Sequence, residues 1–379
     1  MDAQVTGDFL RIFGELPDPR RANRRFLLCD IIFLAVAAVM CDCDGWEDIA
    51  DWTADAFVFL EPLLVQPQHG TPSADTFRRV FARLSPQAFE RCFVTWTQSL
   101  QQSSQGRLIA IDGKALRRSF QHGWDKTLIH MVSAYASANH LILGQLKVDC
   151  KENEIVAIPK LLELLNLKRA TVTIDAMGCQ KAIAGQIVEA KGHYVLTLKD
   201  NQRSFHDAVQ QFMDEAILEQ FKGLRHDQWQ ETTGDHGRIE TRRVWVCDEV
   251  KWLPMAKEWA GFRQMVAVES TREINGQRST ERRYYIASHR RLDARRTAEA
   301  IRSHWGIENQ VHWVLDMVFN EDQSRIRRDH GGENFSRVRR MVLNKLRAYQ
   351  DPSGKKHSLR MKRKKCGWSF EYFLKVMTA

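Results

Sequence analysis

The apolar positions of this chain change their period along its length. Over residues 9–100 they recur at helical spacing. "CDIIFLAVAAVM" (29–40) is apolar on every side and predicts a buried helix, while "GWEDIADWTADAFVFLEPLL" (45–64) is amphipathic. In the next helical stretch a Pro-Ser start precedes Phe77, Val80, Phe81 and Leu84, spaced i, i+3, i+4, i+7. Arg78, Arg79 and Arg83 fall off that stripe. A short turn before a helix with arginines on its open face suits a helix-turn-helix reader of DNA; it equally suits a surface helix.

From about Gly106 the pattern turns to strands. "RLIAID" (107–112) predicts a strand ending in Asp112, with Gly113 as the turn that releases the chain. "HMVSAYASANHLILGQLKV" (130–148) alternates about a turn near Asn139 and predicts a hairpin. Helix 155–167, strand 170–175, helix 180–192 and strand 193–199 follow. Three strands and then alternating helix and strand indicate an α/β fold with a mixed sheet. Residues 201–292 predict a β-rich insertion, with a hairpin signal at Asn275-Gly276. Residues 294–319 return to helical spacing.

Composition narrows the class. The chain has 379 residues, 44% hydrophobic and 27% charged, enough for two or three domains. Its longest apolar run, 26–40, is interrupted by Asp30. That run is too short for a membrane span and starts too late for a signal peptide. A soluble cytoplasmic protein is expected. The eight cysteines include no CxxC pair, which favours reduced thiols over a zinc site. The net charge of +9 is concentrated: 15 Lys and Arg against 3 acids between Arg325 and Lys365 give +12, leaving 9 − 12 = −3 elsewhere. Such a segment suits nucleic acid, and a solvated basic tail over 351–379 is the other reading.

Three acids are candidates for chemistry. Asp112 and Asp175 each end a predicted strand. Glu308 shares a helical face with Ile301, Trp305 and His312, where an acid is costly to bury unless it is paired or binds metal. Taken singly, Asp112 could mark a turn, Asp175 could cap the helix near Gln180, and Glu308 could pair with an arginine. Trp305 and Trp313 could stack on a base or pack in the core.

Nine stretches carry a resemblance: "FGELPDPR" (13–20), "GWEDI" (45–49), "PSADTFRRVFARL" (72–84), "AIDGK" (110–114), "VTIDAMGCQK" (172–181), "LTLKDNQ" (196–202), "IRSHWGIEN" (301–309), "HWVLDMVFNED" (312–322) and "ENFSRVRRMVLN" (333–344). Together they resemble bacterial insertion-sequence transposases of the Asp-Asp-Glu superfamily, and within it the H-repeat-associated group. The resemblance implies a ribonuclease H-like catalytic core, 106–200 completed by 293–350, preceded by a helical N-terminal domain over 1–105. In that fold the first and fourth strands are neighbours. It implies Asp112, Asp175 and Glu308 as catalytic metal ligands, and two Mg²⁺ (or Mn²⁺) ions, which suit oxygen donors. The substrates would be double-stranded DNA: the element's inverted-repeat ends and a target. A homodimer or larger assembly on DNA and a nucleoid location follow, with no membrane.

Many relatives surround the glutamate with Tyr-x2-Arg-x3-Glu-x6-Lys. Here those positions read Ile301, His304, Glu308 and Leu315. Basic contacts to DNA are therefore expected from Lys114, Lys199, Arg302, His304, Arg325, Arg327 and Arg328, beside Arg78, Arg79 and Arg83. Asp316 and Glu321 stand nearby as other acids for the third position. A nuclease that cuts without joining, or an inactive DNA-binding relic or repressor, are the rival functions.

Overall fold

The computed structural model describes residues 2–22, 24–100, 108–117, 119, 128–148, 154–235 and 238–379. Helices come first: α1 (Asp2–Phe13), α2 (Leu28–Met40), α3 (Trp46–Asp55), α4 (Phe57–Leu60), α5 (Ala74–Arg83) and α6 (Pro86–Ser99). α2 is buried on all sides, as its unbroken apolar sequence requires. Its one acid, Asp30, is accommodated because its carboxylate accepts from the backbone N–H groups of Val65 and Gln66, both at 3.0 Å. The hydroxyls of Ser73 and Ser85 cap α5 and α6.

The strand region opens with β1 (Leu108–Leu116), β2 (Ile129–Ala136) and β3 (Leu141–Val148). It continues through α7 (Glu154–Glu163), β4 (Thr171–Ile174), α8 (Lys181–Glu189), β5 (His193–Leu198) and α9 (Arg203–Leu218). Four longer strands follow: β6 (His226–Asp235), β7 (Arg238–Cys247), β8 (Gln264–Ile274) and β9 (Gln277–Ala287). All nine strands form one mixed sheet, ordered β3-β2-β1-β4-β5-β9-β8-β7-β6. β1, β4 and β5 run parallel, and the other neighbours are antiparallel. The α/β fold with a large mixed sheet is as expected.

The chain ends in α10 (Ala294–Ile307), a π-helical turn at Glu308–His312, α11 (Trp313–Phe319), α12 (Gly331–Ala348), α13 (Leu359–Trp368) and α14 (Phe370–Thr378). One apolar cluster joins α1, α2, α5 and α6 to α12 and α14 through residues such as Phe33, Phe81, Phe89, Val338, Leu346 and Phe373. A second cluster lies under the sheet with α7, α8 and α9. No described helix is long and apolar enough to cross a membrane.

Two expectations change, at the end of β1 and at the C-terminus, and the β-rich stretch gains detail. β1 does not stop at Asp112: it continues to Leu116, paired throughout with β2, and Gly113 lies inside the strand opposite Val132. The β-rich stretch extends the same sheet beyond β5 and contains the helix α9. The basic C-terminal segment is not a solvated tail. α13 and α14 fold onto the helical cluster, where Cys366, Tyr372, Phe373, Val376 and Met377 are buried. Three arginines of the Arg325–Lys365 segment meet acids from outside it. Arg337 pairs with Glu90 and Arg340 with Glu321, all four side chains at most 1% exposed. Arg363, fully buried, reaches Asp42 at 3.1 Å and Asp44 at 3.0 Å.

Candidate active site

Asp112 and Asp175 come together because two strands end unequally. β1 and β4 are parallel, and Ile111 opposite Ile174 is their last pair. The next residue on each strand is an acid. β4 ends there, so from Asp112 onwards β1 is paired with β2 alone. Asp175 begins the loop to α8, where its carboxylate accepts from Gly178 N at 3.3 Å. It does not cap α8, whose preceding residue Gln180 has no capping side-chain bond. The "DNQ" stretch after β5 braces this loop: Asn201 Nδ2 donates to Ala176 O, and Gln202 Nε2 donates to Cys179 O at 3.1 Å.

α10 and the π turn lie across these strand ends. His304 Nδ1 is 3.4 Å from Thr173 Oγ1. His312 Nε2 is 3.4 Å from Asp112 Oδ2. Burial alone would raise the Asp112 carboxyl, but His312 and then His304 outweigh it and hold it below the usual carboxylate range. Glu308 lies four residues from each histidine, at the start of the π turn, and is exposed. π turns interrupt helices frequently at functional sites.

A further carboxylate stands here that sequence reasoning missed. Glu154, the first residue of α7, lies against the backbone of Gly113; a Cβ on that glycine would overlap its carboxylate. Burial pushes its carboxyl up, and the charges of Asp175 and Asp112 push it further. The only sequence signal was an acid at a helix start; its neighbourhood with Gly113, some forty residues earlier, is made by the fold. No three His, Cys, Asp or Glu side chains among the described residues form a ready metal-holding group. Even so, Asp112 and Asp175 carry hard oxygen donors one residue beyond neighbouring strand positions. That fits Mg²⁺, which is usually held by one or two carboxylates together with water and phosphate.

The expected basic contacts disperse. Lys114 is turned inward, its side chain 9% exposed. Its ammonium pairs with Asp316 and with Glu321 at 3.3 Å, and donates to His312 O at 3.4 Å. Three nearby acids, counting Asp322 at 3.9 Å, explain why it does not project towards a phosphate. The same pairs engage Asp316 and Glu321. Arg302 pairs with Glu231, and Arg79 with Asp75 at 3.0 Å. Lys199 and Arg83 are exposed. Arg78, though bound to Glu47, shares a cleft of about 590 Å³ with Arg325, Arg327 and Arg328. Arg339 lines it too: it is 2% exposed, and its Nε and Nη2 have no partner among the described residues. Composition counted that arginine but could not single it out.

Residues 103–345 match the family described as Transposase DDE domain, and residues 10–97 match its companion, described as DDE_Tnp_1-associated. The chain belongs to the DDE transposase family. Among its relatives, "Putative transposase YncI" of Escherichia coli O157:H7 is 38% identical over 384 residues, covering 100% of this chain and 96% of that one. "H repeat-associated putative transposase YhhI" of Escherichia coli (strain K12) is 36% identical, covering 96% and 95%. "Uncharacterized protein in dhlA 3'region" of Xanthobacter autotrophicus is 44% identical over 282 residues, 73% of this chain and 93% of that one. Resemblance to the H-repeat-associated group is thus borne out. DDE transposases generally use divalent metal ions, and the carboxylates of Asp112 and Asp175 are of the kind that could hold one.

Proposed function

We propose that this transposase binds the inverted-repeat ends of an insertion sequence, cleaves DNA there and joins the 3′ hydroxyls to target DNA. The observation that carries this is the pair Asp112 and Asp175, one residue beyond the last Ile111–Ile174 pairing of two adjacent parallel strands. The order β3-β2-β1-β4-β5 supports a ribonuclease H-like core, with β6–β9 as its insertion. Asp112 and Asp175 would hold Mg²⁺ or Mn²⁺, with Glu308 as the third ligand. Its exposed place between two histidines that flank Asp112 supports that choice. Asp316 and Glu321 are less suited, since Lys114 and Arg340 already engage them. Bound divalent ions would activate the attacking oxygen and stabilise the leaving one.

The chain's own groups do the rest. His312 and His304 keep Asp112 ionised. The Asn201–Gln202 brace fixes the loop that carries Asp175. The cleft lined by Arg78, Arg325 and Arg328 would take DNA backbone, and synapsis of two ends would call for a dimer or larger assembly.

Asp175→Asn tests the reading. Asparagine can still accept the Gly178 hydrogen bond, so the loop should persist, while the charge that binds metal is lost. End cleavage and joining in Mg²⁺ should fall by several orders of magnitude, with end binding kept. Near-normal joining would refute the assignment. Cleavage without joining in the parent chain would favour the nuclease reading, and DNA binding without either would favour the relic.

A further inference from the structure

The edge of the sheet opposite the aspartates carries a second basic site. β1, β4 and β5 start together, with Leu108 paired to Thr171 and Thr171 to His193. Two adjoining clefts open at this end, of about 700 Å³ and about 290 Å³. His193, Asp293 and Arg296 line both; Arg169 lines the larger, and Arg290 and Arg291 the smaller. The acids present are already engaged. Asp293 caps α10 by accepting from Arg296 N at 2.8 Å, and Glu299 pairs with Arg295 at 3.3 Å. The guanidinium groups of Arg169, Arg290, Arg291 and Arg296 are exposed and have no carboxylate within 4 Å among the described residues. Behind them His193 and His289 stack at 4.8 Å. His289 Nε2 meets Thr171 Oγ1 at 3.0 Å, and its Nδ1 is buried without a partner. Burial and then Arg296 lower the His193 imidazole, and burial, then His193 and Arg296, bring His289 down to about 4. Five arginines against two acids line the two clefts.

Four unpaired arginines at one edge repel each other and have no structural use that the fold reveals. Their planar forks match phosphate oxygens. α10 runs from this edge to Glu308, a rise of about 21 Å at 1.5 Å per residue. At about 3.4 Å per nucleotide step, a strand whose reacting phosphate lay at Asp112 would pass these clefts some six nucleotides away.

We infer that Arg169, Arg290, Arg291 and Arg296 form a docking site for the phosphate backbone of duplex DNA, separate from the aspartates and indifferent to base sequence. The inference rests on the proposed function in taking DNA as the substrate. It adds a second point of contact that would fix the duplex along α10.

The test uses the full chain and a random-sequence duplex of about 40 base pairs. In one variant Arg169→Asn, Arg290→Gln, Arg291→Gln and Arg296→Gln are combined; asparagine suits the left-handed backbone at residue 169, where φ is +61°. Each phosphate contact contributes about 0.9 to the slope of log affinity against log salt, so the slope should become shallower by about 2–4 with the melting temperature unchanged. A companion variant with lysine at all four positions keeps the charge and should keep the slope. An unchanged slope in the neutral variant overturns the inference. So does a DNA slope lost equally in the lysine variant, since disturbed folding would then be the cause. Inorganic phosphate that binds the parent chain while the neutral variant keeps its DNA slope would mean a site for free phosphate, again overturning it. The proposed function fails separately: a parent chain that joins DNA ends while the neutral variant keeps its slope loses only this inference, whereas a parent chain that binds no duplex loses both.

Discussion

Gly113 shows how one residue is constrained from two sides. It lies within β1, paired in register opposite Val132, and its missing Cβ leaves the space that the Glu154 carboxylate fills. Gly113→Ala should therefore destabilise the fold by about 1–3 kcal/mol in urea unfolding, as overpacking does. Pairing it with Glu154→Ala should recover most of that loss; a double variant no better than the single would mean that the glycine serves the strand alone. Glu321 is constrained differently. Its carboxylate is fully buried between Arg340 and Lys114, and those cations outweigh the burial that would otherwise raise its carboxyl. Glu321→Gln should cost about 3–5 kcal/mol, because it leaves two buried cations without their shared partner. A loss below about 1 kcal/mol would show that water or Asp316 replaces it.

Elements were unequally legible in the sequence. The hairpin β2–β3, the helices α7 and α8 and the strands β4 and β5 all lie where apolar periodicity put them, since each buries one face against its neighbours. The end of β1 was misjudged. "AIDGK" carries a turn signal, but pairing with β2 carries the strand through it. The C-terminal helices were hidden for another reason: "LRMKRKKCGW" has too few apolar residues to predict a buried helix. Its decisive burial is that of Arg363, a residue normally assigned to solvent. That guanidinium donates to Val39 O and Val318 O, the final turns of α2 and α11. One side chain thus ties the ends of two helices together through their carbonyls. Arg363→Lys keeps the charge but not the fork. It should lower stability by about 2–3 kcal/mol, checked by thermal unfolding, and an unchanged midpoint would show that one ammonium suffices. The site was half legible: two aspartates at predicted strand ends could be read, whereas Glu154 and Arg339 owe their places to packing between distant segments.

At the scale of the whole molecule, the helices before residue 100 and those after 331 share one core. Removing residues 353–379 should therefore do more than weaken DNA binding. It exposes the apolar surface that α14 covers and frees Asp42 and Asp44 from Arg363. The shortened chain should lose its cooperative thermal transition or aggregate; a folded, soluble product with only a flatter salt dependence would restore the basic-tail reading. The shared core also bears on how the chain is made. Glu90 waits 247 residues for Arg337, and Asp44 waits 319 residues for Arg363. At about 5–20 residues per second on the ribosome, that delay is roughly 10–60 s. Throughout it the nascent helices hold acids whose buried partners do not yet exist. A chain broken anywhere before residue 363 would lack its closing arginine and stand exposed to proteases. Only chains extended past that residue would then hold these buried pairs.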